Sequence, residues 1–550
     1  MKKQAAIVLS SILLLMTACS SQPNATAPET ASPGPSESGS AAPEKNIDLK
    51  VGRYSLPTWG YPEGDDFANN IWYRHYADKF GLNVTHEWTS LQSEYNEKLN
   101  IVIASGSIPD MLMEISTNQL ETLVEADMAA DLTDVFNEHA SDLTKEILYG
   151  DGGLGMNSAT FDGKLMALPY MTSVIYEPSL LWVRQDWLDN LNLPVPQTID
   201  DVMAVSKAFK EQDPDQNGVN DTGGLAFSNW LFDGITSLTG FFNGYHAYPQ
   251  TWLKGDDGKI TYGSIQPEMK NAIAKLSEMY KAGLLDPEFG MKDTPKVVEE
   301  VTGGKYGITY GRNWNVYMYG AGLEGQPEMI WTPLVAPSAD GKEVFANVGT
   351  TVVSYYVVNK NYEHPEILIQ LLNEYNEMAY GPKRNDPEVK KFFAFEDGQT
   401  IVEQGHLSLV RTLTTDEATL KSLEYVIEAI EKRDPSKLDE ALTETGKYEP
   451  SVAYLDGKGT GYMEYHQVKG FQTTIENYGT DRLIPQAYSG TTDTMRDKMG
   501  ILGDYEREMF TKLIMGAEPI DAFDIFVAEW NKQGGQQILD EINAATQSNN

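Results

Sequence analysis

The sequence predicts an α/β fold organised around a largely parallel sheet, and three observations carry that prediction. The stretch Asn96–Met113 (NEKLNIVIASGSIPDMLM) is the clearest. Tyr95, Leu99, Val102 and Ile103 recur at i, i+4, i+7 and i+8, the apolar stripe of a helix. Ala104-Ser105-Gly106 supplies a tight C-terminal turn, and Met111-Leu112-Met113 follows Pro109 as a short buried strand. Short apolar runs then keep alternating with amphipathic stretches along the chain, the grammar of βαβ units. Length is the third observation: about 500 residues beyond a Pro-rich segment suffice for two or three packed units. Such sheets bind ligands outside the carboxyl ends of their strands, which directs attention to Glu114–Ser116.

Taken in order, Met1–Ala18 is read as a signal peptide, with Lys2 and Lys3 ahead of the apolar run Ala5–Met16. That run is too short to span a bilayer stably. It ends Leu15-Met16-Thr17-Ala18-Cys19, which resembles a bacterial lipobox. The resemblance implies cleavage before Cys19 and lipidation of its sulfur, with acyl chains such as palmitate as the anchor. Cys19 is the only cysteine in 550 residues, so disulfides are not used. Residues 19–46, rich in Pro, Ser, Ala and Thr, bury too little apolar surface to offset ordering entropy and are read as a disordered tether.

Ile47–Tyr54 alternates as a first strand and opens into the loop Leu56–Asp66, which carries Trp59 and Tyr61. Phe67–Phe80 reads as a helix and Val84–Trp88 as a strand. Ala129–Leu132 and Phe136–Tyr149 read as helical. Phe161–Lys164 is a turn, Leu165–Tyr170 a strand, and Leu180–Val183 a strand entering a helix at Asp186-Trp187-Leu188. Thr198 with Asp201 fits a capping box. Asp213, Asp215, Asn217, Val219 and Asp221 then place oxygens at positions 1, 3, 5, 7 and 9 around Gly218, the pattern of a calcium loop. Position 12 is Gly224, so the loop departs from a full EF-hand, and a bound Ca2+ would be structural. Gln266–Leu284 is an amphipathic helix. Glu299–Tyr310 ends in a strand that leads to Gly311-Arg312-Asn313-Trp314-Asn315. Ile330–Val335 and Phe345–Asn359 supply strands, Glu363–Tyr375 and Asp416–Lys432 helices. Phe510–Met515 is helical, and a last helix starting at Ala517-Glu518-Pro519 is stopped by Gly534.

Composition excludes several functions. The formal charge of −38 disfavours nucleic acid, whose binding rests on Lys and Arg neutralising phosphates, and disfavours direct contact with anionic lipid. No HExxH, GxSxG, P-loop or CxxC occurs, and the 7 His lack ligand spacing, so no enzyme is expected. Eighty carboxylates leave a glycosidase-like pair open. A sugar site needs flat apolar platforms beside polar groups. The ligand-binding candidates are Trp59, Tyr61, Glu114, Tyr170 and Trp230, with Arg312, Asn313, Trp314 and Asn315. The negative charge argues for a neutral glycan, since an anionic one would need several cations.

Four motifs in this order resemble the extracellular solute-binding proteins (family 1) of carbohydrate ABC transporters, in the large lipoprotein branch that includes the alginate-binding proteins. They are ASGSIPD, the strand running into Arg184-Gln-Asp-Trp-Leu188, the Asp213–Asp221 loop, and the ending from Phe510 through GAEPIDAFDIFVAEWNKQGG to Asn543. The alginate-binding relatives close their calcium loop with an acidic residue where this chain has Thr222. The resemblance implies a periplasmic-binding-protein type II fold: two α/β lobes, joined by hinge crossovers, with a ligand cleft between them. Lobe 1 is expected from 47–167 and 350–460, lobe 2 from 168–349 and 461–548. The implied function is capture of an oligosaccharide and delivery to the transmembrane subunits of an ABC permease. The protein would be a monomer, lipid-anchored on the outer face of a Gram-positive cell membrane. Open alternatives are a binding lipoprotein for another solute such as a peptide, a lipid-anchored glycan-degrading enzyme, and a subunit feeding a sensor kinase.

Overall fold

The computed structural model describes residues 46–548, apart from 57–58, 233, 350, 397–400 and 460. The expected signal segment, Cys19 and nearly all of the tether lie outside the described residues. Ten strands build the two main sheets among those residues: β1 (Ile47–Ser55), β2 (Leu82–Leu91), β3 (Met111–Ile115), β4 (Leu168–Met171), β5 (Leu180–Arg184), β6 (Gly223–Ala226), β7 (Ile235–Ser237), β8 (Tyr306–Gly311), β9 (Trp331–Leu334) and β10 (Val352–Val358). The first sheet runs β2-β1-β3-β10-β4, the second β9-β5-β8-β6 with β7 also on β8.

The parallel grammar holds for β1 with β2 and β3, and for β8 with β6. The remaining neighbours are antiparallel. β10 inserts between β3 and β4, so Val352–Val358 lies within the first sheet. β4 belongs to that sheet too, which puts the first departure after Met171, just beyond the expected 167/168.

Each sheet carries its own core. Around the first, the helix Gln92–Ser105 buries Tyr95, Leu99, Val102 and Ile103, the stripe read from the sequence, and Gly106 closes it at φ +71°. Trp72 is fully buried, and its indole N–H is shared between the carbonyls of Phe392 (2.9 Å) and Gln404 (3.1 Å), tying the returning segment to the first core. The second core gathers Trp182, Trp187, Trp331 and Trp530, with Trp530 stacked on Tyr262 at 4.9 Å.

Several expected boundaries move for identifiable reasons. The first helix starts at Ile71 rather than Phe67, because the Asn70 side chain accepts from the amides of Trp72 (3.0 Å) and Tyr73 (3.2 Å) and caps it. Ala129–Leu132 is not helical: Ala129 bridges Asn359, and the Ala130 amide donates to the Val358 carbonyl (2.8 Å). Phe136–Tyr149 is broken at Ala140-Ser141, where the Ser141 hydroxyl caps the second helix. The last expected helix starts at Ala522, and the turn at Asn531–Gly535, with Gly534 at φ +139°, kinks the chain into Gln536–Ser548 instead of ending it. The helix Asp416–Lys432, expected on lobe 1, turns Leu423, Val426 and Ile430 toward Val468 and Phe471 of Tyr462–Asn477. That helix in turn packs on the second sheet, where the Trp331 amide donates to the Tyr462 hydroxyl (2.8 Å).

The lobes also touch at Arg496, on the helix Asp493–Met515, which lies 3.0 Å from Glu125 and 3.8 Å from Glu121 on the first lobe. Further along the same helix, Glu506 is fully buried, accepts from the Tyr262 hydroxyl (3.1 Å), and is pushed up to about 7 by burial. The folded protein therefore holds a proton that the unfolded chain releases above its ordinary value of 4.5. This contribution is fully present below pH 4.5 and is lost as pH rises through about 7. Glu506→Gln is expected to flatten the fall in the urea-unfolding free energy between pH 5 and 7.

Candidate ligand-binding cleft

The carboxyl ends of both sheets open into cavities, and both lie beside the crossings. The first, of about 430 Å³, is built on the ends of β1 and β3, the middle of β10, and the returning loop His406–Arg411. The second, of about 660 Å³, is built on the end of β8, the residue before β5, the end of β7, and Asn347–Gly349 of the second crossing. This placement follows the rule for open α/β sheets.

The first cavity has an aromatic wall. Trp59 packs against the His406 imidazole at 4.4 Å and against Tyr54 at 5.7 Å. Burial, reinforced by the positive charges of Arg53 and Arg411, pulls His406 down to about 4, so it is neutral at physiological pH. Its Nε2 is buried without a hydrogen-bond partner among the described residues. Beneath this wall, Arg53 at the end of β1 donates to the carbonyls of His406 (2.8 Å), Leu407 (2.9 Å) and Ser408 (3.2 Å) and to the Tyr73 hydroxyl (3.1 Å). Three carbonyls of a distant loop thus converge on one buried guanidinium, which fixes that loop against β1.

The polar side consists of Glu114 and Arg411. Glu114, the penultimate residue of β3, lies in the left-handed region at φ +54°, a conformation that non-glycine residues adopt at a cost and that concentrates at binding sites. The Tyr54 hydroxyl donates to its Oε1 (3.0 Å), and Arg411 lies 3.6 Å from the same oxygen. The Arg411 guanidinium also sits over the Tyr170 ring at 5.1 Å. Glu114 and Arg411 are each about one-third exposed, so both face the cavity with capacity to spare.

The second cavity is predominantly polar. Arg312 pairs with Glu177 at 2.6 Å, and Gln250, Asn347 and Gln486 lie on the same wall. The Ser179 hydroxyl is buried there without a hydrogen-bond partner among the described residues. Asn347 is oriented by donating to Thr251 Oγ1 (3.0 Å) and accepting from Asn243 (2.7 Å).

The structure therefore brings Trp59 and Glu114 around one cavity, with Tyr170 outside the lining behind Arg411, and places Arg312 at the other. It separates the rest. Tyr61 is half-buried against the first core and outside the lining. Trp230 is 52% exposed, stacked under the Arg507 guanidinium at 4.7 Å, away from both cavities. Asn313 and Asn315 are both fully buried and line neither cavity. Asn313 donates to the Tyr176 carbonyl (3.1 Å) and accepts from Gln467 (3.1 Å), while Asn315 donates to the Tyr319 hydroxyl (3.3 Å). Trp314 is half-buried ahead of the short helix Asn315–Tyr319 and lines neither cavity. Sequence reasoning missed Arg53, His406, Arg411 and Glu177. An arginine in register with the buried Leu49 and Val51 on the inward face of β1 was the one signal available, at Arg53.

The Asp213–Asp221 loop lies apart from these cavities. Gly218 turns at φ +84°, its amide donates to Asp213 Oδ2 (3.0 Å), and the Val219 amide donates to Asn217 Oδ1 (2.7 Å). Asp213 and Asp215 each keep one buried carboxylate oxygen with no hydrogen-bond partner among the described residues. Burial and the adjacent Asp213 raise Asp215 above the usual carboxylate range. Unpartnered oxygens converging without a counter-charge fit a hard cation, although among the described residues no three His, Cys, Asp or Glu side chains form a metal-holding group.

Known proteins agree with this architecture. Residues 71–395 match the bacterial extracellular solute-binding protein family. Lipoprotein LipO of Bacillus subtilis is 25% identical over 487 residues, covering 85% of this chain and 87% of that one. The polygalacturonan/rhamnogalacturonan-binding protein YtcQ of Bacillus subtilis is 29% identical over 473 residues, 82% of each chain. The Streptococcus pneumoniae ABC-transporter substrate-binding protein FusA, solved in complex with kestose, superposes with a TM-score of 0.62 at 18% identity, over 92% of this chain and 100% of that one. The alginate-binding protein AlgQ2, solved without calcium ion, gives 0.58 at 16% identity, over 91% and 98%. The fold is the two-lobed solute-binding architecture expected from the sequence.

The Arg53 network yields a direct expectation. Arg53→Met leaves three carbonyls short of a donor at roughly 1–3 kcal/mol for each one that water cannot reach. Urea unfolding should show a loss of several kcal/mol, about 3 or more. A loss under 1 kcal/mol would mean the loop holds its place without the guanidinium.

Proposed function

The chain belongs to the bacterial extracellular solute-binding protein family, and we propose that it captures an oligosaccharide between its lobes and presents it to the transmembrane subunits of an ABC importer. The observation that carries this reading is the pairing of two unlike cavities at the crossings. One presents aromatic faces with a carboxylate and a guanidinium. The other presents hydroxyl and amide groups beside a second Arg–Glu pair. Pyranose and furanose rings offer C–H faces to the first kind of surface and hydroxyls to both. Relatives point the same way. FusA is named as a fructooligosaccharide ABC transporter substrate-binding protein, and YtcQ by its polygalacturonan/rhamnogalacturonan ligand.

A ligand touching both cavities selects the closed arrangement by its differential affinity for it, and the permease reads that shape. The lobes are taken as residues 47–171 with 351–415, and 180–347 with 416–548, the latter including the helix Asp416–Lys432. The protein acts as a monomer and without turnover of the glycan. Its Leu15-Met16-Thr17-Ala18-Cys19 segment anchors it by lipid to the outer face of the cell membrane, in keeping with the lipoprotein relative LipO. Among the described residues no helix is long and apolar enough to cross a membrane. Asp213, Asp215, Asn217, the Val219 carbonyl and Asp221 hold one structural Ca2+, which brings order to the loop and takes no part in the cleft.

Thermal unfolding tests these statements. A glycan at about 100 times its Kd should add roughly 2.7 kcal/mol to stability, without being degraded. Midpoint shifts with peptides and none with glycans would overturn the carbohydrate assignment. Trp59→Ala should weaken the glycan about tenfold or more, since one stacked ring contributes on the order of 1.4 kcal/mol. Chelation should lower the ligand-free midpoint, and Asp215→Asn should abolish that response. An unchanged midpoint under chelator would reduce the loop to a solvated turn.

A further inference from the structure

The charges at the cleft are matched in a way that bears on which glycans fit, an argument that rests on the oligosaccharide reading above. Five charged residues line the two cavities, Arg53, Glu114 and Arg411 in one, Glu177 and Arg312 in the other. Arg312 pairs with Glu177 at 2.6 Å. Arg411 has Glu114 at 3.6 Å. Among the described residues Arg53 pairs with no carboxylate, but its guanidinium is spent on three backbone carbonyls and the Tyr73 hydroxyl and is 7% exposed. His406 is the remaining basic side chain of that lining, and it packs against Trp59. Every cation able to reach a ligand is therefore already answered by a carboxylate in the same cavity.

We infer that the cleft is built for an uncharged oligosaccharide and that Glu114 is the residue that excludes acidic sugars. A uronate approaching Arg411 would meet the Glu114 carboxylate on the same guanidinium, and like charges in a partly desolvated site repel strongly. A hydroxyl at that place can donate to Glu114 and accept from Arg411, using both partners at once. The backbone supports the assignment. A side chain held at φ +54° and fixed by the Tyr54 hydroxyl is placed at a conformational cost, as expected of a group whose position matters to binding. The chain thus departs in specificity from its polygalacturonan-binding relative while sharing its fold.

The test is isothermal titration of the full-length protein and its Glu114→Gln and Glu114→Asp variants. The probes are neutral fructo-, xylo- and malto-oligosaccharides and, separately, oligogalacturonates, with thermal unfolding to verify that each variant is folded. The wild type should bind a neutral series at least tenfold more tightly than oligogalacturonates. Glu114→Gln should lose about tenfold toward the neutral glycan, the worth of a charge-assisted hydrogen bond, and gain toward the acid. Glu114→Asp should retain the discrimination. Oligogalacturonates binding the wild type as tightly as any neutral glycan would overturn the inference and leave the oligosaccharide reading standing. Discrimination unchanged in Glu114→Gln would remove Glu114 from that role. No glycan binding at all, with peptides bound instead, would overturn both readings.

Discussion

The hydrogen bond from the Thr172 amide to the Thr351 carbonyl (2.6 Å) marks where the chain leaves the first sheet and comes back to it. The rest of the architecture depends on that pairing. β4 leads out and β10 leads in as antiparallel neighbours, so the two strands that connect the lobes are also part of the first sheet's own ladder. Asp416 reinforces the exit, accepting from the Ser173 hydroxyl (2.7 Å) and the Val174 amide (3.0 Å). The two lobes meet at this short, well-bonded waist, and each keeps a separate core. The carboxyl ends of both sheets are held beside that waist, which is why the two cavities lie where they do.

The cleft combines rigidity with a small number of groups left to act on a ligand. Tyr95, Arg53 and Tyr356 line the first cavity but direct their polar atoms to backbone carbonyls, as in the Tyr95 hydroxyl on Met113 (2.8 Å) and the Tyr356 hydroxyl on Arg411 (3.0 Å). They set the positions of Glu114 and Arg411 rather than compete for solute. The His406 Nε2 and Ser179 Oγ atoms are the converse: buried polar atoms with no hydrogen-bond partner among the described residues, one beside each cavity. Such atoms cost stability unless something hydrogen-bonds to them, and a sugar hydroxyl is suited to do so.

How much of this was legible beforehand follows from the range of the interactions involved. The helix around Leu99 and its glycine stop, the Thr198 capping box and the calcium-loop turn at Gly218 are local, set by residues a few positions apart, and periodicity or spacing reveals them. The loops after β1 and β3 could be singled out as ligand-facing because strand ends are where parallel sheets open, and Trp59 and Glu114 came with them. Arg411 and His406 were invisible for the opposite reason. They reach the site through Arg53, more than 350 residues away in sequence, and nothing in their own neighbourhood announces it. Asn313 and Asn315 lie buried because polar residues after a strand can tie a turn to a neighbouring helix as well as meet a solute. The same long-range logic reassigned the helix Asp416–Lys432. Its apolar stripe was evident, while the surface it covers was not.

The central claim is that one glycan lies across both cavities at once. The most direct measurement is a crystal structure of the full-length protein with the neutral oligosaccharide of highest affinity. The account predicts one sugar ring against Trp59 with hydroxyls on Glu114 and Arg411, and a second ring with hydroxyls on Ser179 and the Gln250 wall, the lobes closed around both. A glycan bound to one lobe alone, or on the outer surface near Trp230, would contradict it.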